Sequence, residues 1–447
     1  MPPPLRTLPT DYHFYAYDND RATPWTPGSA QPNRGNYQFY SMLKDLQALQ
    51  AWGAAVRNVP NIAFGNLGAG IRVNNTVRQT MMLSFGAAAG PAVVITGGIH
   101  AREWIAPAMA YLIAEYLVRN YNTAPATRFE QALKKLIDTR RIFIVPLLNP
   151  QGNSYTVYNP APNARMWRKN RRDLPMTSPG WVAVLNTAGV PNPPFQNVVA
   201  GPAPAFATYD VPVYQRAATN TVTIASAQPL VGVDLNRNCA TNAWGHHTTG
   251  STEGDPTQED YFGPRVASER ETQNIQVQLV AIPGGGAPPA PLATSVDYHS
   301  YGKYILYPTE ADNTGAVNAN YTALGKILQV LIRPAAAGWS YDYSLGTPQA
   351  LLGYDAVGTL ADHIALAYNT RAFVIELDPH GGAGFQLPEN QIQMVFEKNI
   401  RGALALIAAA GRQSAVRQTW RWGARGITST EAQFVGWNVW GRGNQLP

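Results

Sequence analysis

The stretch PAVVITGGIHAREWIAPAMAYLIAEYLVRN, residues 91–120, joins a strand pattern to a helix pattern. It begins with a short apolar run, which is typical of a strand buried on both faces of a sheet. Further on, apolar residues recur every three or four positions and Pro107 lies in the first turn, which predicts a helix. Between the two patterns stand His100 and Glu103, which a buried strand does not need. A metal site at this junction is our working explanation.

The same alternation of strand and helix patterns continues along the chain. Further strands are predicted from RQTMMLSF, RIFIVPLL, LATSVDYHS, KYILYP and RAFVIELD, and helices from YQFYSMLKDLQALQAWG, FEQALKKLID, ETQNIQVQLVA, ANYTALGKILQVLIRPAAAG and NQIQMVFEKNIRGALALIAAAG. Strands that alternate with helices favour a mostly parallel sheet with helices on both faces. The sequence therefore predicts the α/β class.

The composition excludes several classes of protein. Of the 447 residues 45% are hydrophobic and 14% are charged, which is typical of a globular chain. The net charge of +6 is mostly scattered, so we expect no nucleic-acid partner. Cys239 is the only cysteine, so a metal must be bound by histidine and carboxylate ligands. We expect no membrane partner and no signal peptide, which leaves a cytoplasmic protein or one exported by a non-classical route.

Composition also suggests how the chain is organised. Residues 1–35 are predicted to be an irregular N-terminal lead-in, and 36–412 the catalytic domain. Within it, a Pro-, Ala- and Asn-rich insertion at about 173–230 reads as a long surface excursion. Residues 413–447 are rich in Trp and Gly and are predicted to be a C-terminal extension. We expect a monomer.

His100 and Glu103 indicate a metal site only if the chain supplies a third ligand. His100 and Glu103 alone are compatible with a capping glutamate beside a hydrogen-bonded histidine. His299, at the end of the strand LATSVDYHS, completes two imidazoles and one carboxylate, the set of a catalytic zinc ion with one further position open. Asp234 is a candidate acceptor for a ligating imidazole. For the remaining histidines, surface or structural roles are favoured over metal binding; they are His13, His246, His247, His363 and His380.

Other charged residues stand where hydrolytic chemistry would need them. Glu376 closes the apolar strand RAFVIELD, where an acid is costly unless a site uses it as a base. In GVDLNRN, Asn236 and Arg237 follow an apolar run, and an arginine there suits a carboxylate. The basic run RMWRKNRR, residues 165–172, has two interpretations. It is either a solvated or polyanion-binding stretch, or the source of an arginine that stabilises an oxyanion near the metal.

Six blocks in this order resemble the zinc carboxypeptidases of the carboxypeptidase A/B type. They are HAREW, MWRKNRR, GVDLNRN, HSYGKYILYP, LGYDAVGTLADH and FVIELD followed by GGAGFQLP, and the match spans roughly residues 35–412. The resemblance implies a single three-layer α/β/α domain with a central mixed, mostly parallel sheet of about eight strands. It also implies one zinc ion and the C-termini of peptides or proteins as substrates.

The resemblance assigns roles position by position. It implies that His100, Glu103 and His299 ligate zinc, that Glu376 is the general base and that Arg168 stabilises the oxyanion. The substrate-binding positions it implies are Asn236 and Arg237 for the terminal carboxylate, the mobile Tyr354, and Arg165, Tyr301 and Phe385 in neighbouring subsites. Each of these positions is filled by the expected residue type.

The residue at the base of the side-chain pocket selects the substrate in this family. It is aspartate in relatives that remove Lys or Arg and a large aliphatic residue in those that remove apolar residues, whereas here it is Ala361. Glu310 matches a wall position where some relatives place an acid that accepts a cationic side chain. We therefore expect a preference for C-terminal Lys or Arg, or a mixed specificity.

Two alternatives stay open beside the zinc carboxypeptidase that hydrolyses C-terminal peptide bonds with metal-activated water. The first keeps the fold and changes the substrate to bacterial cell-wall peptides (muropeptides), as in a secreted effector. The second is an inactive module that binds peptides or carboxylates, against which the intact Glu376 and ligand set speak.

Overall fold

The structure is a computed structural model in which part of the chain is described. The described residues are 39–73, 76–158, 164–171, 232–241, 244, 258–263, 266–282, 292–308, 315–332, 342–368, 370–379, 384–388 and 391–410, with four short strand segments at 214–216, 222–224, 422–423 and 426–427. The lead-in 1–35 and most of the insertion and of the C-terminal extension lie outside them.

An eight-stranded sheet forms the centre of the described fold. In spatial order the strands are β1 (Ala63–Asn66), β4 (Met81–Gly86), β6 (Arg141–Val145), β5 (Ala92–Gly97), β9 (Leu292–Ser300), β12 (Arg371–Leu377), β10 (Tyr304–Leu306) and β11 (Ser344–Gly346). The described residues also form three two-stranded pairs. These are β2 (Ile71–Val73) with β3 (Thr76–Arg78), β7 (Tyr214–Arg216) with β8 (Val222–Ile224), and β13 (Trp422–Gly423) with β14 (Gly426–Ile427).

The sheet is mixed, with a parallel centre. β6, β5, β9 and β12 run parallel to one another, whereas β4, β1 and β10 pair antiparallel to their inner neighbours. Every residue of β5 and β9 is buried, as expected for strands covered on both faces. The mixed eight-stranded sheet predicted from the resemblance is confirmed.

Nine α-helices are described around the sheet. They are α1 (Phe39–Trp52), α2 (Ile105–Asn120), α3 (Arg128–Thr139), α4 (Pro150–Tyr158), α5 (Arg270–Ala281), α6 (Gly315–Leu331), α7 (Pro348–Leu352), α8 (Leu360–Tyr368) and α9 (Ile392–Ala409). α2 and α9 pack on each other and on β9, and α6 packs on α9, so these three helices share a layer. None of the described helices has the length and apolar character needed to cross a bilayer.

The alternation of side chains along β9 separates a helix-facing side from a site-facing side. Thr294 donates a hydrogen bond from Oγ1 to the carbonyl oxygen of Leu406 in α9, at 3.0 Å. Side chains of odd-numbered residues in the same strand point to the opposite face. Asp297 and His299 therefore face away from α9, toward the residues that follow β5 and β12.

Local sequence explains where several elements begin. The side chain of Thr127 accepts a hydrogen bond from the amide of Glu130, and the Glu130 carboxylate accepts one from the Thr127 amide, so a capping box starts α3. Pro107 lies in the first turn of α2, where its missing N–H costs nothing.

The structure adds to and shortens some predicted elements. β6 ends at Val145, before the end of RIFIVPLL, and the sequence patterns did not predict β1, β11, α4, α7 or α8. Within the insertion, β7 and β8 form an antiparallel pair where only irregular chain was expected. The division into lead-in, catalytic domain and extension stays a proposal, which limited proteolysis of the full chain would test.

Candidate metal centre and adjoining pocket

Three donors from distant parts of the chain converge in the interior. His100 and Glu103 lie between β5 and α2, and His299 lies near the end of β9. His100 Nδ1 is 2.7 Å from Glu103 Oε1 and 3.1 Å from His299 Nδ1, which is itself 3.1 Å from Glu103 Oε2. All three side chains are at most 4% exposed. The structure therefore brings together the three predicted ligands.

A glycine turn allows His100 to leave the strand. Gly98 has a φ of 64°, and a Cβ added there would lie 2.8 Å from Leu147 Cδ1. Both the left-handed conformation and the lack of space favour glycine. The chain turns there and presents His100 beside the ends of the central strands.

Each imidazole directs its other nitrogen to a carboxylate. His100 Nε2 lies 3.1 Å from Asp234 Oδ1, and His299 Nε2 lies 2.9 Å from Asp297 Oδ2. Because a carboxylate only accepts hydrogen bonds, each Nε2 donates, and each Nδ1 turns toward Glu103. Asp234 was predicted as such an acceptor, whereas Asp297 was not.

The donor set fits a zinc ion. One ligand atom from each of His100, Glu103 and His299 lies within 4.8 Å of the other two. Tetrahedral zinc with nitrogen and oxygen ligands at about 2.0–2.2 Å needs ligand atoms about 3.3–3.5 Å apart, close to the observed spacings. Two Nδ1 atoms that face each other beside a carboxylate are the arrangement a shared cation stabilises.

The electrostatics of the three ligands reflect their proximity. Burial raises the pKa of Glu103, but His100 and His299 lower it more, so its pKa falls well below the ordinary value. Burial lowers the pKa of His299, but the charges of Asp297 and Glu103 raise it by more. The net effect is a pKa well above the ordinary value. In the metal-free protein, Glu103 and His299 therefore stabilise each other's charged forms.

Arg168 lies beside this cluster and is tied to the same aspartate. Its Nε and one terminal nitrogen donate to Asp234 Oδ2 at 3.0 and 2.8 Å. Its other terminal nitrogen is 3.8 Å from Glu103 Oε1. Asp234, which is fully buried, also accepts a hydrogen bond from the Asn236 amide at 2.9 Å. One carboxylate therefore positions both His100 and Arg168.

Glu376 lies beside His299 on the neighbouring strand. The parallel register of β9 and β12 pairs Glu376 with His299, so the two side chains share a face. Glu376 Oε2 is buried and accepts no hydrogen bond from any residue that the structure describes. Burial raises the pKa of Glu376 to about 8, and the charge of His299 opposes part of that rise. A buried carboxylate with an open acceptor suits a proton carrier.

A pocket of about 60 Å³ opens next to the cluster. Its lining includes the predicted substrate-binding residues Asn236, Arg237, Tyr354 and Ala361 together with His100, Arg168, His299 and Glu376. The remaining lining residues are Leu306, Tyr307, Pro308, Pro348, Leu352, Ala356, Thr359, Asp362 and Val374. The lining thus combines apolar residues with polar and charged ones.

Asn236 and Arg237 are held by the backbone around them. Asn236 Oδ1 accepts a hydrogen bond from the Leu360 amide at 2.9 Å, and Arg237 donates to the Asn236 carbonyl at 2.8 Å. Both side chains are buried, whereas Tyr354 is 48% exposed, with its ring centroid 5.9 Å from the Arg237 guanidinium carbon. A fixed cation therefore faces the pocket beside a tyrosine at its mouth.

The three predicted subsite residues contact one another. The rings of Tyr301 and Phe385 are 4.8 Å apart, and Arg165 donates to the Phe385 carbonyl at 2.6 Å. Arg102, which was not predicted, lies over the Phe385 ring at 4.2 Å and pairs with Glu259 at 2.9 Å. Its place between His100 and Glu103 in the sequence was a signal that could have singled it out.

The structure describes one of the two predicted specificity residues and not the other. Ala361 lines the pocket, whereas Glu310 lies outside the described residues. Asp362 was not predicted; it also lines the pocket and accepts a hydrogen bond from Thr359 Oγ1 at 2.7 Å.

His363 Nδ1 donates to the Ala240 carbonyl at 2.7 Å, a structural contact. The remaining histidines lie outside the described part of the chain; they are His13, His246, His247 and His380.

Comparisons with known proteins agree with this geometry. A family model described as zinc carboxypeptidase matches residues 70–402. The chain is 24% identical over 366 residues to zinc carboxypeptidase A 1 of Anopheles gambiae, a match that covers 81% of this chain and 66% of that protein. It is 24% identical over 362 residues to carboxypeptidase B of Astacus astacus, covering 80% of this chain and 93% of that protein. Among solved structures, carboxypeptidase A from Helicoverpa armigera has a similar fold, with a TM-score of 0.56, 20% identity, and coverage of 85% of this chain and 74% of that chain.

Proposed function

The chain belongs to the zinc carboxypeptidase family, and from this premise we propose that it hydrolyses the C-terminal peptide bond of peptides or proteins. The family match and the group formed by His100, Glu103 and His299 confirm the predicted zinc cofactor. The observation that carries the proposal is one pocket lined by two of these ligands, by Glu376 and by Arg237.

An exopeptidase of this kind must recognise the free C-terminus of its substrate. Arg237 is a buried cation at the pocket, and a free C-terminal carboxylate is the anion it would hold, with Asn236 as a second donor. The terminal side chain then occupies the apolar part of the pocket. Tyr354, at the mouth, is placed to cover the bound end.

The proposed chemistry assigns acid–base work to one residue and charge stabilisation to another. His100, Glu103 and His299 would hold a zinc ion, which would supply Lewis-acid activation at the scissile bond. Glu376 takes a proton from the attacking water and returns it to the leaving amine. Arg168, fixed by Asp234, donates to the oxygen that gains negative charge as the carbonyl is attacked.

The preferred C-terminal residue is also a proposal. Asp362 adds a carboxylate to the pocket lining, and Ala361 leaves room beside it, so a Lys or Arg side chain would find a partner there. Leu306 and Val374 in the same wall are compatible with apolar residues. We therefore propose cleavage of C-terminal Lys or Arg, with apolar residues as secondary substrates.

Release of C-terminal residues from a peptide library tests the function. The zinc-loaded full chain is expected to release terminal residues one at a time from peptides with free carboxylates and to leave matched C-terminal amides intact. Chelation should abolish the release and added zinc should restore it. If the zinc-loaded chain releases no terminal residue from any library member, the proposed activity is wrong.

Comparison of benzoyl-Gly-Arg with benzoyl-Gly-Phe tests the specificity. We expect the Arg substrate to be preferred, and Glu310→Ala to reduce that preference, because the mutation removes a carboxylate that the resemblance assigns to the pocket wall. An unchanged Arg-to-Phe ratio in this variant would exclude Glu310 as a determinant. That the protein acts as a monomer without nucleic-acid or membrane partners is likewise proposed, and light scattering would test the oligomeric state.

A further inference from the structure

Asp297 is a buried carboxylate that neither the family resemblance nor the proposed reaction accounts for. It lies two residues before His299 on β9, is 2% exposed, and directs Oδ2 to His299 Nε2 at 2.9 Å. Residues two apart on a strand point to the same face. The contact therefore follows from the strand itself and does not depend on a loop.

The neighbouring strand fixes the other oxygen of this carboxylate. Thr96 Oγ1 donates to Asp297 Oδ1 at 2.7 Å, and the parallel register of β5 and β9 pairs the two residues. Thr96 is fully buried, so no water competes for this hydrogen bond. Thr96, Asp297 and His299 thus form a chain of hydrogen bonds across two strands.

The arrangement around His299 parallels the one around His100. Asp234 accepts from His100 Nε2 at 3.1 Å, just as Asp297 accepts from His299 Nε2. Each aspartate requires a proton on Nε2, and each neutral ring then offers the Nδ1 lone pair toward the centre of the donor set. A carboxylate behind a ligating imidazole also increases the electron density that the ring donates.

We propose that Asp297, held by Thr96, is the positioning residue that fixes the ring orientation and tautomer of His299 for zinc binding. This inference rests on the proposed function, because it treats His299 as a zinc ligand. It adds a second carboxylate–histidine pair to the one at Asp234, so both imidazole ligands are oriented by the rigid sheet and its adjoining loop. Asp297 does not touch the substrate, and its effect is exerted through His299.

Zinc affinity of the full chain, measured by competition with a chromogenic chelator, is the primary test. Removal of an acceptor behind a ligating imidazole costs about 10–100-fold in metal affinity, so we expect that loss in Asp297→Ala. Asp297→Asn should lose less, because its carboxamide oxygen still accepts from Nε2. Thr96→Val should show a smaller loss than Asp297→Ala, because the carboxylate stays but loses its support from β5.

Tyr298→Phe is the matched control on the same strand. Tyr298 is fully buried, faces the opposite side from Asp297, and its hydroxyl has no hydrogen-bond partner among the described residues. The variant should therefore bind zinc like the wild type. An equal loss of affinity in Tyr298→Phe would mean that any change in β9 disturbs the site, which would overturn the specific role of Asp297.

The visible absorption of the cobalt-substituted protein gives a second readout that does not depend on catalysis. We expect Asp297→Ala and Asp297→Asn to change the cobalt bands, because the orientation or basicity of one imidazole changes, and Tyr298→Phe to leave them unaltered. Zinc affinity within twofold of wild type, together with unaltered bands in Asp297→Ala, would overturn the inference. If Asp297→Ala does not fold, Asp297→Asn and Thr96→Val decide in the same way. A wild-type chain that binds zinc but releases no C-terminal residue would instead refute the proposed function.

Discussion

Replacement of Glu376 by glutamine separates zinc binding from proton transfer. The side chain keeps its shape but can no longer take up a proton, and Glu376 is not among the three donors of the metal group. General acid–base residues typically contribute 10²–10⁴-fold, so we expect kcat/KM to fall by about that factor. Zinc affinity should stay within about threefold of wild type, since no ligand changes.

The same substitution has a consequence for stability whose sign follows from burial. Glu376 has a pKa of about 8 against an ordinary value of 4.5, so in the metal-free protein the folded state favours the protonated form. Below pH 4.5 the carboxyl is protonated in both states and the substitution should change little. Between pH 4.5 and about 8 the unfolded state loses its proton while the folded state keeps it, so the wild type loses stability that the glutamine variant keeps. This difference between the pKa values of the folded and unfolded states corresponds to a difference in unfolding free energy on the order of 2–5 kcal/mol.

Two assays and one control variant test the effects of Glu376→Gln on turnover and on stability. Hydrolysis of benzoyl-Gly-Arg and benzoyl-Gly-Phe measures kcat/KM, and urea unfolding of the metal-free proteins between pH 4 and pH 9 measures stability. Glu115→Gln changes a glutamate of α2 that is buried and pairs with Arg119 at 2.6 Å, away from the pocket lining. It should leave kcat/KM within twofold. Near wild-type turnover in Glu376→Gln would refute the assignment of the base.

Three further substitutions test other parts of the site and the fold. Arg237→Gln should raise KM for peptides with a free C-terminus about 10–100-fold, because a hydrogen bond to a charged group is worth about 1.5–3 kcal/mol, and an unchanged KM would contradict the carboxylate role. Asp234→Asn breaks the buried pair with Arg168 and should lower the unfolding free energy of the metal-free protein by about 3–5 kcal/mol in urea, with a loss under 1 kcal/mol as the contrary result. Asp342 pairs with Lys398 at 2.7 Å. Burial raises the pKa of Asp342, but Lys398 and Lys303 lower it below the ordinary 3.8. The stability that Asp342 contributes through these lysines at neutral pH is therefore lost as the pH falls below 3.8. Because Lys398 also pairs with Asp378 at 2.7 Å, the test replaces Asp342: the Tm values of wild type and Asp342→Asn should converge in acid, and a constant gap would argue against the ion pairs.

Much of the fold could be predicted because the central strands have an unmistakable composition. β5 is an apolar run whose residues are all buried, and no exposed polar position confuses its pattern. The edge strands gave no such signal. β1 (AFGN) is largely exposed and β11 has three residues, so neither has enough periodicity to be recognised without its sheet partner.

The sequence indicated several residues that the structure brings together in the candidate site, but it did not indicate contacts that depend on the fold. Asp297 could have been inferred from its position two residues before His299 on a predicted strand, since alternation places both on one face. The pairing of Arg102 with Glu259 could not, because the two residues are 157 positions apart and meet only through the folded loops. Asp362 lines the pocket beside Ala361, which no local periodicity indicated.

The sheet register is what turns separate motifs into one centre. β5, β9 and β12 are neighbours and run parallel, so their carboxyl ends meet at one edge of the sheet. His100 and His299 are 199 residues apart in sequence, yet both stand at that edge. The pairing of Glu376 with His299 places the proposed base on the face of the ligands. A slip of β12 by one residue would turn Glu376 to the opposite face and bring its apolar neighbours to the pocket. The proposed catalytic arrangement therefore depends on the buried packing of these strands as much as on the residues to which we assign the chemistry.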